Sequence, residues 1–285
     1  MNIASLHPVV HIGFYLVVIA FSIAFLHPVF LIISFLIALS FAILLRGGKA
    51  VKFALCFIFP TIIIFSLVNA ITSHYGVTNL FKLGINYITL ESIAFGLASG
   101  TAFSTVIIWF FCFNQTVTTD MMLDVFSVFS RKIALVISMA LRLVPLYNMR
   151  LKKMHEVSGS ESKNFFYSVK LAVLTLSGLI SWALEQSVIT ADSMSARGYG
   201  IGLSRKRTLG KFSKTDALVL VLLLLFTATI IFFGASGQAA AQYNPRIIFS
   251  SPPVYFIILY TLFCAFPIIF DSFEVFLWHL SRSKI

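Results

Sequence analysis

The chain has 285 residues, of which 59% are hydrophobic and 11% are charged, and its 21 Lys and Arg residues outnumber its 10 Asp and Glu residues. Soluble domains carry about a quarter charged residues, so this composition excludes an ordinary soluble domain and predicts an integral membrane protein. Cys56, Cys112 and Cys264 lie singly within apolar runs, and we interpret them as small buried apolar side chains.

Six apolar runs have the length of roughly 17 to 25 residues that a membrane-spanning helix needs. In chain order they are Val9–Leu26, Val29–Leu45, Val51–Ala70, Ile93–Phe113, Ala217–Phe233 and Val254–Ile269. The first two meet at His27-Pro28, where we expect a tight turn because proline cannot continue a helix. Before the fourth run, Thr89 predicts a helix N-cap and Glu91 an acid that the helix dipole favours.

Two further apolar runs, Ile133–Met149 and Phe165–Leu184, also have enough hydropathy to resemble spans. If both runs crossed the membrane, Arg142 would lie at the membrane centre, at a free-energy cost of about 2.5 to 3.5 kcal/mol on insertion scales. This crossing would also move four more cations to the outside, namely Arg150, Lys152, Lys153 and Lys163. We therefore expect both runs to form helices that lie in or under the cytoplasmic interface.

The distribution of positive charge predicts the orientation. With Arg46, Lys49 and Lys52 in the cytoplasm, six spans place 19 of the 21 Lys and Arg residues inside, as the positive-inside rule requires. Only Lys82 and Arg246 are then outside. Because topology accounts for the basic excess, the lipid bilayer is an expected partner and nucleic acid is not.

The sequence thus predicts an all-α membrane protein of about six transmembrane helices, with long cytoplasmic or interfacial helices inserted before the last two spans. Residues 1–113 form an N-terminal bundle of four spans, residues 114–214 a cytoplasmic region, and residues 215–285 a C-terminal pair of spans. Both ends of the chain are expected in the cytoplasm. Because the inserted region is large, apolar and basic, we interpret it as a docking surface.

Motifs that would indicate an enzyme do not occur in the sequence. No P-loop, G-x-G-x-x-G or H-E-x-x-H motif is present, and the predicted spans contain no paired carboxylates. We therefore expect no catalytic residue, no metal and no cofactor. Gly198 is interpreted as a helix C-cap, and His7 and His27, which each precede a proline, as structural residues at helix ends.

Several residues of the inserted region suggest contacts with other proteins. Met139 and Met149 are two of six methionines in this region, where thioethers either fill a core or form a surface that accepts more than one shape. Pro145 is expected to bend its helix, three residues after Arg142.

The fourth span carries a further candidate for partner packing. Gly96 and Gly100 form a small-xxx-small pair, which is suited to close helix contact. We predict that this pair packs against a partner.

Several stretches resemble a known family of membrane proteins. SMSARGYG at Ser193–Gly200 is similar to the Ala-Arg-Gly motif of the transmembrane T component of energy-coupling factor (ECF) transporters, the EcfT/CbiQ family. ISMALRLVPLY at Ile137–Tyr147 resembles the S-x-A-L-R-x-x-P stretch of that family. Val68–Phe81 and Tyr87–Leu97 are similar to its loop and following span. The resemblance covers about residues 68–202.

The resemblance implies a non-catalytic coupling subunit in the cell membrane of a prokaryote. In the family, coupling helices rest on two ATP-binding cassette (ABC) ATPase subunits and hold a separate substrate-binding membrane subunit, the S component, for uptake of a vitamin or a metal ion. Arginines at two coupling-helix ends insert into grooves of the ATPases. Ala196, Arg197 and Gly198 match one of these motifs.

The second arginine motif of the family is not intact in this sequence. The helix after Pro145 continues as MRLKKMHEVSGSES, without Ala-Arg-Gly or Ala-Arg-Ser, and Glu161 lies near the expected arginine. Either Lys153 or Lys163 replaces that arginine, or the contact is weaker.

Two other classes of function are alternatives. A self-contained channel or secondary transporter needs polar or ionisable groups along a path through the membrane, and the six predicted spans carry almost none. A membrane-embedded enzyme needs catalytic clusters that the sequence lacks. We therefore expect a coupling subunit, whose transported compound this chain does not specify because the S component binds it.

Overall fold

The computed structural model describes residues 7–73, 76–83, 86–158, 165–199 and 214–282. These residues form nine helices: α1 Pro8–Ala24, α2 Pro28–Arg46, α3 Gly48–Thr72, α4 Leu90–Thr116, α5 Thr119–Phe129, α6 Arg131–Ser158, α7 Phe165–Ala196, α8 Lys214–Ala235 and α9 Val254–Arg282. Helix α3 includes a π-helical turn at Ala54–Ile58. Two antiparallel hairpins complete the described elements, with β1 Asn79–Leu83 paired to β2 Asn86–Thr89 and β3 Ala241–Gln242 paired to β4 Ile248–Phe249.

Seven of these helices, α2, α3, α4, α6, α7, α8 and α9, are long and apolar enough to cross a membrane. Helix α1 is equally apolar in character but has only 17 residues. The predicted fold class, an all-α membrane protein, is confirmed. The six predicted spans correspond to α1–α4, α8 and α9, and the two runs that we assigned to the interface form the long helices α6 and α7. By length and composition these two also qualify as spans.

The helices group into two compact units. The six-helix unit comprises Met1–Met122 and Gly210–Ile285, and the helix-pair unit comprises Leu123–Leu209. The predicted boundary after residue 113 falls inside α4, which continues to Thr116. Helix α5 is divided between the units, because Met121 and Met122 pack against the core of the six-helix unit.

The same Leu-His-Pro-Val sequence stands at the start of α1 and of α2, and its proline is the first residue of each helix. In each, the histidine Nδ1 accepts a hydrogen bond from the backbone N–H two residues later, His7 from Val9 and His27 from Val29, both at 3.4 Å. The proline after each histidine stands at the first helical position, where its missing N–H costs nothing. The prediction that His7 and His27 are structural residues at helix ends is therefore confirmed.

The start of α4 is fixed by two polar side chains. Thr89 Oγ1 accepts a hydrogen bond from the Ser92 backbone N–H at 3.3 Å, which confirms the predicted N-cap. Glu91 is only 4% exposed, and its carboxylate accepts hydrogen bonds from the Val77 N–H and from the Thr78 N–H and hydroxyl, the last at 2.8 Å. The acid therefore joins the segment before β1 to the first turn of α4, in addition to its place at the positive end of the helix dipole.

The loops at one end of the six-helix unit contact each other. The Tyr243 hydroxyl of the β3–β4 hairpin donates to the Leu26 carbonyl in the α1–α2 turn at 2.7 Å. The ring of Tyr243 also meets that of Phe95, in the second turn of α4, with centroids 5.7 Å apart. This end, which we call the hairpin end, therefore holds both hairpins. Lys82 in β1 and Arg246 between β3 and β4 are the two cations predicted outside.

The opposite end of the six-helix unit gathers the other helix termini. Asp216 in the first turn of α8 accepts a hydrogen bond from the His7 backbone N–H at 3.2 Å. Arg46, at the end of α2, donates to the Gln115 side chain at the end of α4, at 2.8 Å. Consecutive helices of this unit therefore alternate in direction, and the chain leaves α4 and enters α8 at the same end.

A buried chain of polar groups links α1, α2 and α4 inside the apolar core. Ser22 Oγ donates to the Val18 carbonyl at 2.9 Å, and it lies 3.2 Å from Ser34 Oγ. Ser34 Oγ in turn accepts from the Trp109 indole N–H at 3.2 Å. Because the Ser22 proton is already used, Ser34 is the donor between the two hydroxyls. Each donor is thus satisfied where no solvent is available.

The small-xxx-small pair of α4 packs inside the chain. A Cβ atom added at Gly96 would come within 2.7 Å of Ser66 Cα in α3, and one added at Gly100 within 3.1 Å of Phe65 Cβ. We predicted contact with a partner for this pair, but α3 of the same chain occupies its face. The absence of two Cβ atoms lets the backbones of α3 and α4 approach closely.

We expect Gly96→Ala to lower the thermal midpoint of unfolding in detergent, because its methyl group would press on the backbone of α3. Overpacking of this kind costs about 1 to 3 kcal/mol. Gly13→Ala is the matched control, since no heavy atom lies within 4 Å of the added Cβ in α1, and alanine favours the helix by about 1 kcal/mol. Equal midpoints for Gly96→Ala and Gly13→Ala would show that α3 and α4 do not meet here.

Candidate functional site

The helix-pair unit is built on a contact between α6 and α7. The rings of Tyr147 and Trp182 meet edge to face with centroids 5.6 Å apart, and the Arg150 guanidinium carbon lies 5.7 Å from the centre of the same indole. Next to them, a Cβ added at Gly178 would lie 3.0 Å from Met154 Cε. Since later residues of α6 meet earlier residues of α7, the two helices run antiparallel. Aromatic and cation–π contacts of this kind fix the pair at one level.

Pro145 lies inside α6, which continues through it from Arg131 to Ser158. Because proline has no N–H, the Leu141 carbonyl lacks its helical donor. The predicted bend therefore has a physical cause at this point, within the helix and not at its end. Pro145 itself is exposed.

Beyond the aromatic contact, the two helices leave a groove of about 550 Å³, which we call the α6–α7 groove. Helix α6 contributes two turns, and α7 contributes residues between Gln186 and Arg197, which span about 17 Å at the α-helical rise. The lining residues are Met139, Arg142, Leu143, Leu146, Gln186, Ser187, Ile189, Thr190, Ala191, Ser193, Met194 and Arg197. The groove is thus lined mainly by apolar side chains and Ser and Thr hydroxyls, together with two arginines.

Arg142 in α6 and Arg197, directly after the last residue of α7, both line the α6–α7 groove. Both side chains are exposed, and within the described part of the chain neither guanidinium forms a hydrogen bond or an ion pair. No Asp or Glu is among the groove-lining residues. The groove therefore presents unneutralised positive charge next to apolar side chains.

The end of α7 is closed by a Schellman motif. The Gly198 N–H donates to the Ser195 carbonyl at 2.9 Å, and the Tyr199 N–H donates to the Met194 carbonyl at 3.0 Å. Gly198 has a φ of +75°, which glycine adopts without the steric cost that a side chain would add. The predicted C-cap is confirmed, and Arg197 stands between the helix and this turn.

The other predicted site residues do not line the groove. Ala196 is the last residue of α7, and Met149 and Lys153 are exposed on α6 away from the groove. Glu161 and Lys163 lie outside the described residues. The two interpretations of the methionines, core filling and a surface that accepts more than one shape, apply to different residues.

Met121 and Met122 pack on the core of the six-helix unit, and Met154 fills the contact between α6 and α7. Met139 and Met194 line the groove instead. The contacts of Tyr147 and Arg150 with the Trp182 ring were not predicted, and their only sequence signal is that Tyr147 and Arg150 are three residues apart on one helix face.

Comparison of this chain with protein-family models finds no match, and comparison with curated proteins finds none either. The features that bear on function are therefore the groove, the capped end of α7 and the residues that carry the family resemblance.

We expect Gly198→Ala to loosen the last turn of α7. A side chain in the left-handed conformation costs about 1 to 2 kcal/mol, so the two capping hydrogen bonds should open more often. Hydrogen–deuterium exchange of the amides at positions 198 and 199 should be faster than in the wild-type protein. Gly198→Asn is the control, because asparagine tolerates this conformation better. Unchanged exchange in Gly198→Ala would contradict the capping role.

Proposed function

We propose that this chain is the non-catalytic transmembrane coupling subunit of an ECF-type ABC importer in the cell membrane of a prokaryote. In this role it transmits the ATP-driven conformational change of two ATPase subunits to a substrate-binding S component, for uptake of a vitamin or a metal ion. The observation that carries the proposal is Arg197, held at the capped end of a long helix with no partner in the described chain.

The geometry at the end of α7 supports a contact that can transmit the conformational change of an ATPase subunit. The guanidinium is planar and permanently charged, and it offers several donors that match carboxylate or carbonyl groups. The Schellman motif at Gly198 turns the chain away, so the Arg197 side chain is exposed at the helix end. Ala196 before it adds little bulk beside the approaching partner.

The surface of the helix pair supports binding to lipid and protein partners. Val136 on α6 and Val173 and Leu184 on α7 are each at least 60% exposed. Large exposed apolar side chains on both helices indicate an interaction site or a membrane contact. If α6 crossed the bilayer, the charged Arg142 would lie near its centre at a high free-energy cost. We therefore place both helices at the cytoplasmic interface, where ATPase subunits have access.

The channel or secondary transporter is less well supported. In the described part of the six-helix unit, the buried carboxylates Glu91 and Asp216 lie in the first turns of α4 and α8, and not halfway along a helix. The buried hydroxyls of Ser22 and Ser34 bond to each other and to neighbouring groups. Neither arrangement provides the row of ionisable groups that an ion pathway uses.

Cysteine labelling tests the proposed topology. In a variant without the three native cysteines, we expect a membrane-impermeant thiol reagent to label Ala240→Cys at the hairpin end in intact cells. Ser160→Cys, between α6 and α7, should be labelled only after the membrane is opened. Both positions should react in opened membranes, which controls for accessibility. Labelling of position 160 in intact cells would show that α6 and α7 cross as a hairpin, and the proposed interface position would fail.

Arg197→Glu should abolish uptake and release the ATPase subunits from the purified complex. Removing one side of a buried charge contact costs about 3 to 5 kcal/mol, which weakens association more than about a hundredfold. Arg197→Lys should be intermediate, because it keeps the charge and loses the planar fork. The measurements are uptake by cells and ATPase retained on the tagged chain.

Arg205→Glu is the matched control for this test, since it reverses one charge in the basic segment after α7. We expect it to have a mild effect on uptake and on ATPase retention. If Arg197→Glu retained both at wild-type level, Arg197 would be a headgroup contact and the proposed coupling role would be wrong.

A further inference from the structure

We propose that the α6–α7 groove receives an acidic amphipathic helix of the ATPase partner, with Arg142 and Arg197 binding its carboxylates together. The inference rests on the proposed function for the identity of the partner, and it adds Arg142 and the groove to the single contact at Arg197. It concerns a surface of this chain into which the partner inserts.

The charge of the groove favours an acidic occupant. Arg142 and Arg197 line it, no acidic residue does, and neither guanidinium is neutralised within the described chain. The segment that follows α7, residues 200–213, carries four Lys and Arg residues and no acid. Its charge has the same sign as that of the groove, so this segment does not supply a neutralising group and an acidic occupant from another molecule is favoured.

Two hydroxyls of the groove are already engaged as donors, which leaves the arginines as its only charged donors to a carboxylate. The Thr190 hydroxyl already donates to the Gln186 carbonyl, and the Ser187 hydroxyl to the Leu184 carbonyl, each at 2.7 Å. These two hydroxyls therefore have no proton left for an anion, whereas a guanidinium offers five N–H donors. An occupant is expected to place its acids at Arg142 and Arg197.

The rest of the groove suits apolar side chains in a helical arrangement. Met139, Leu143 and Met194 are half-buried in its wall, and thioethers adapt to the shape of an inserted side chain. The α7 side of the groove is about 17 Å long, or three helical turns. A free anion would occupy the arginines alone, whereas an amphipathic helix uses the charged and the apolar parts.

Charge variants test this proposal in the assembled complex in lipid nanodiscs. We expect Arg142→Glu to lower ATPase affinity about thirtyfold or more, as the loss of a desolvated charge contact does. Because both arginines would hold one segment, the double variant with Arg197→Glu should lose less than the product of the single losses. Lys132→Glu on α6 and Lys170→Glu on α7 are controls, because both lysines are exposed and neither lines the groove.

Crosslinking identifies the occupant directly. In the cysteine-free background, a thiol-reactive photocrosslinker at Thr190→Cys inside the groove should attach to an acidic helical stretch of the ATPase. Attachment should fall strongly when Arg142→Glu is added, and Ser177→Cys on an exposed face of α7 should not label that stretch. Unfolding midpoints of the variants equal to the wild-type value exclude loss of fold as the cause.

Two results would overturn the groove inference while leaving the proposed function intact. One is release of the ATPases by Arg197→Glu and full retention in Arg142→Glu, with no ATPase crosslink at position 190. The other is an Arg142→Glu variant that loses only its binding to phosphatidylglycerol vesicles, which would identify a lipid headgroup as the occupant. If the wild-type chain retained no ATPase, the proposed function would fail first, and the groove inference with it.

Discussion

The constraint on which this structure depends is the cost of an unsatisfied polar or charged group in the hydrocarbon of a bilayer. In the six-helix unit, the buried hydroxyls of Ser22 and Ser34 share hydrogen bonds with Trp109 and a backbone carbonyl. The buried acids Glu91 and Asp216 stand in first turns, where backbone N–H groups reach them. These polar groups therefore lie where a partner exists, whereas the buried Ser104 hydroxyl of α4 has no hydrogen-bond partner in the described part of the chain.

The helix-pair unit differs from the six-helix unit, because cations stand among the apolar residues of its helices. Arg150 uses its charge inside the unit, above the Trp182 ring, while Arg142 and Arg197 have no partner in the described chain. Large apolar side chains such as Val173 are exposed on the same helices. A surface with exposed apolar area and unpaired guanidiniums suits contact with lipid or with another protein, and this property connects the fold to the proposed coupling role.

Local sequence signals predicted local structure well, because their causes act over a few residues. His7 and His27 before prolines, Thr89 before α4 and Gly198 after α7 all form the expected helix ends. The glycine pair at Gly96 and Gly100 shows the limit of such signals. Its spacing predicted a close helix contact, but nothing within the α4 sequence indicates that α3 is the neighbour.

The sequence by itself determined the membrane class, the long apolar helices, the separation of basic from apolar segments and the caps that end the helices, since hydropathy, charge and capping depend on nearby residues. Tertiary structure alone decided that Gly96 packs on α3, that Met121 and Met139 have different surroundings, and that Arg142 and Arg197 share one groove. These pairings join residues far apart in the chain. They depend on which helix faces meet and at what level, which is a property of packing and not of local sequence.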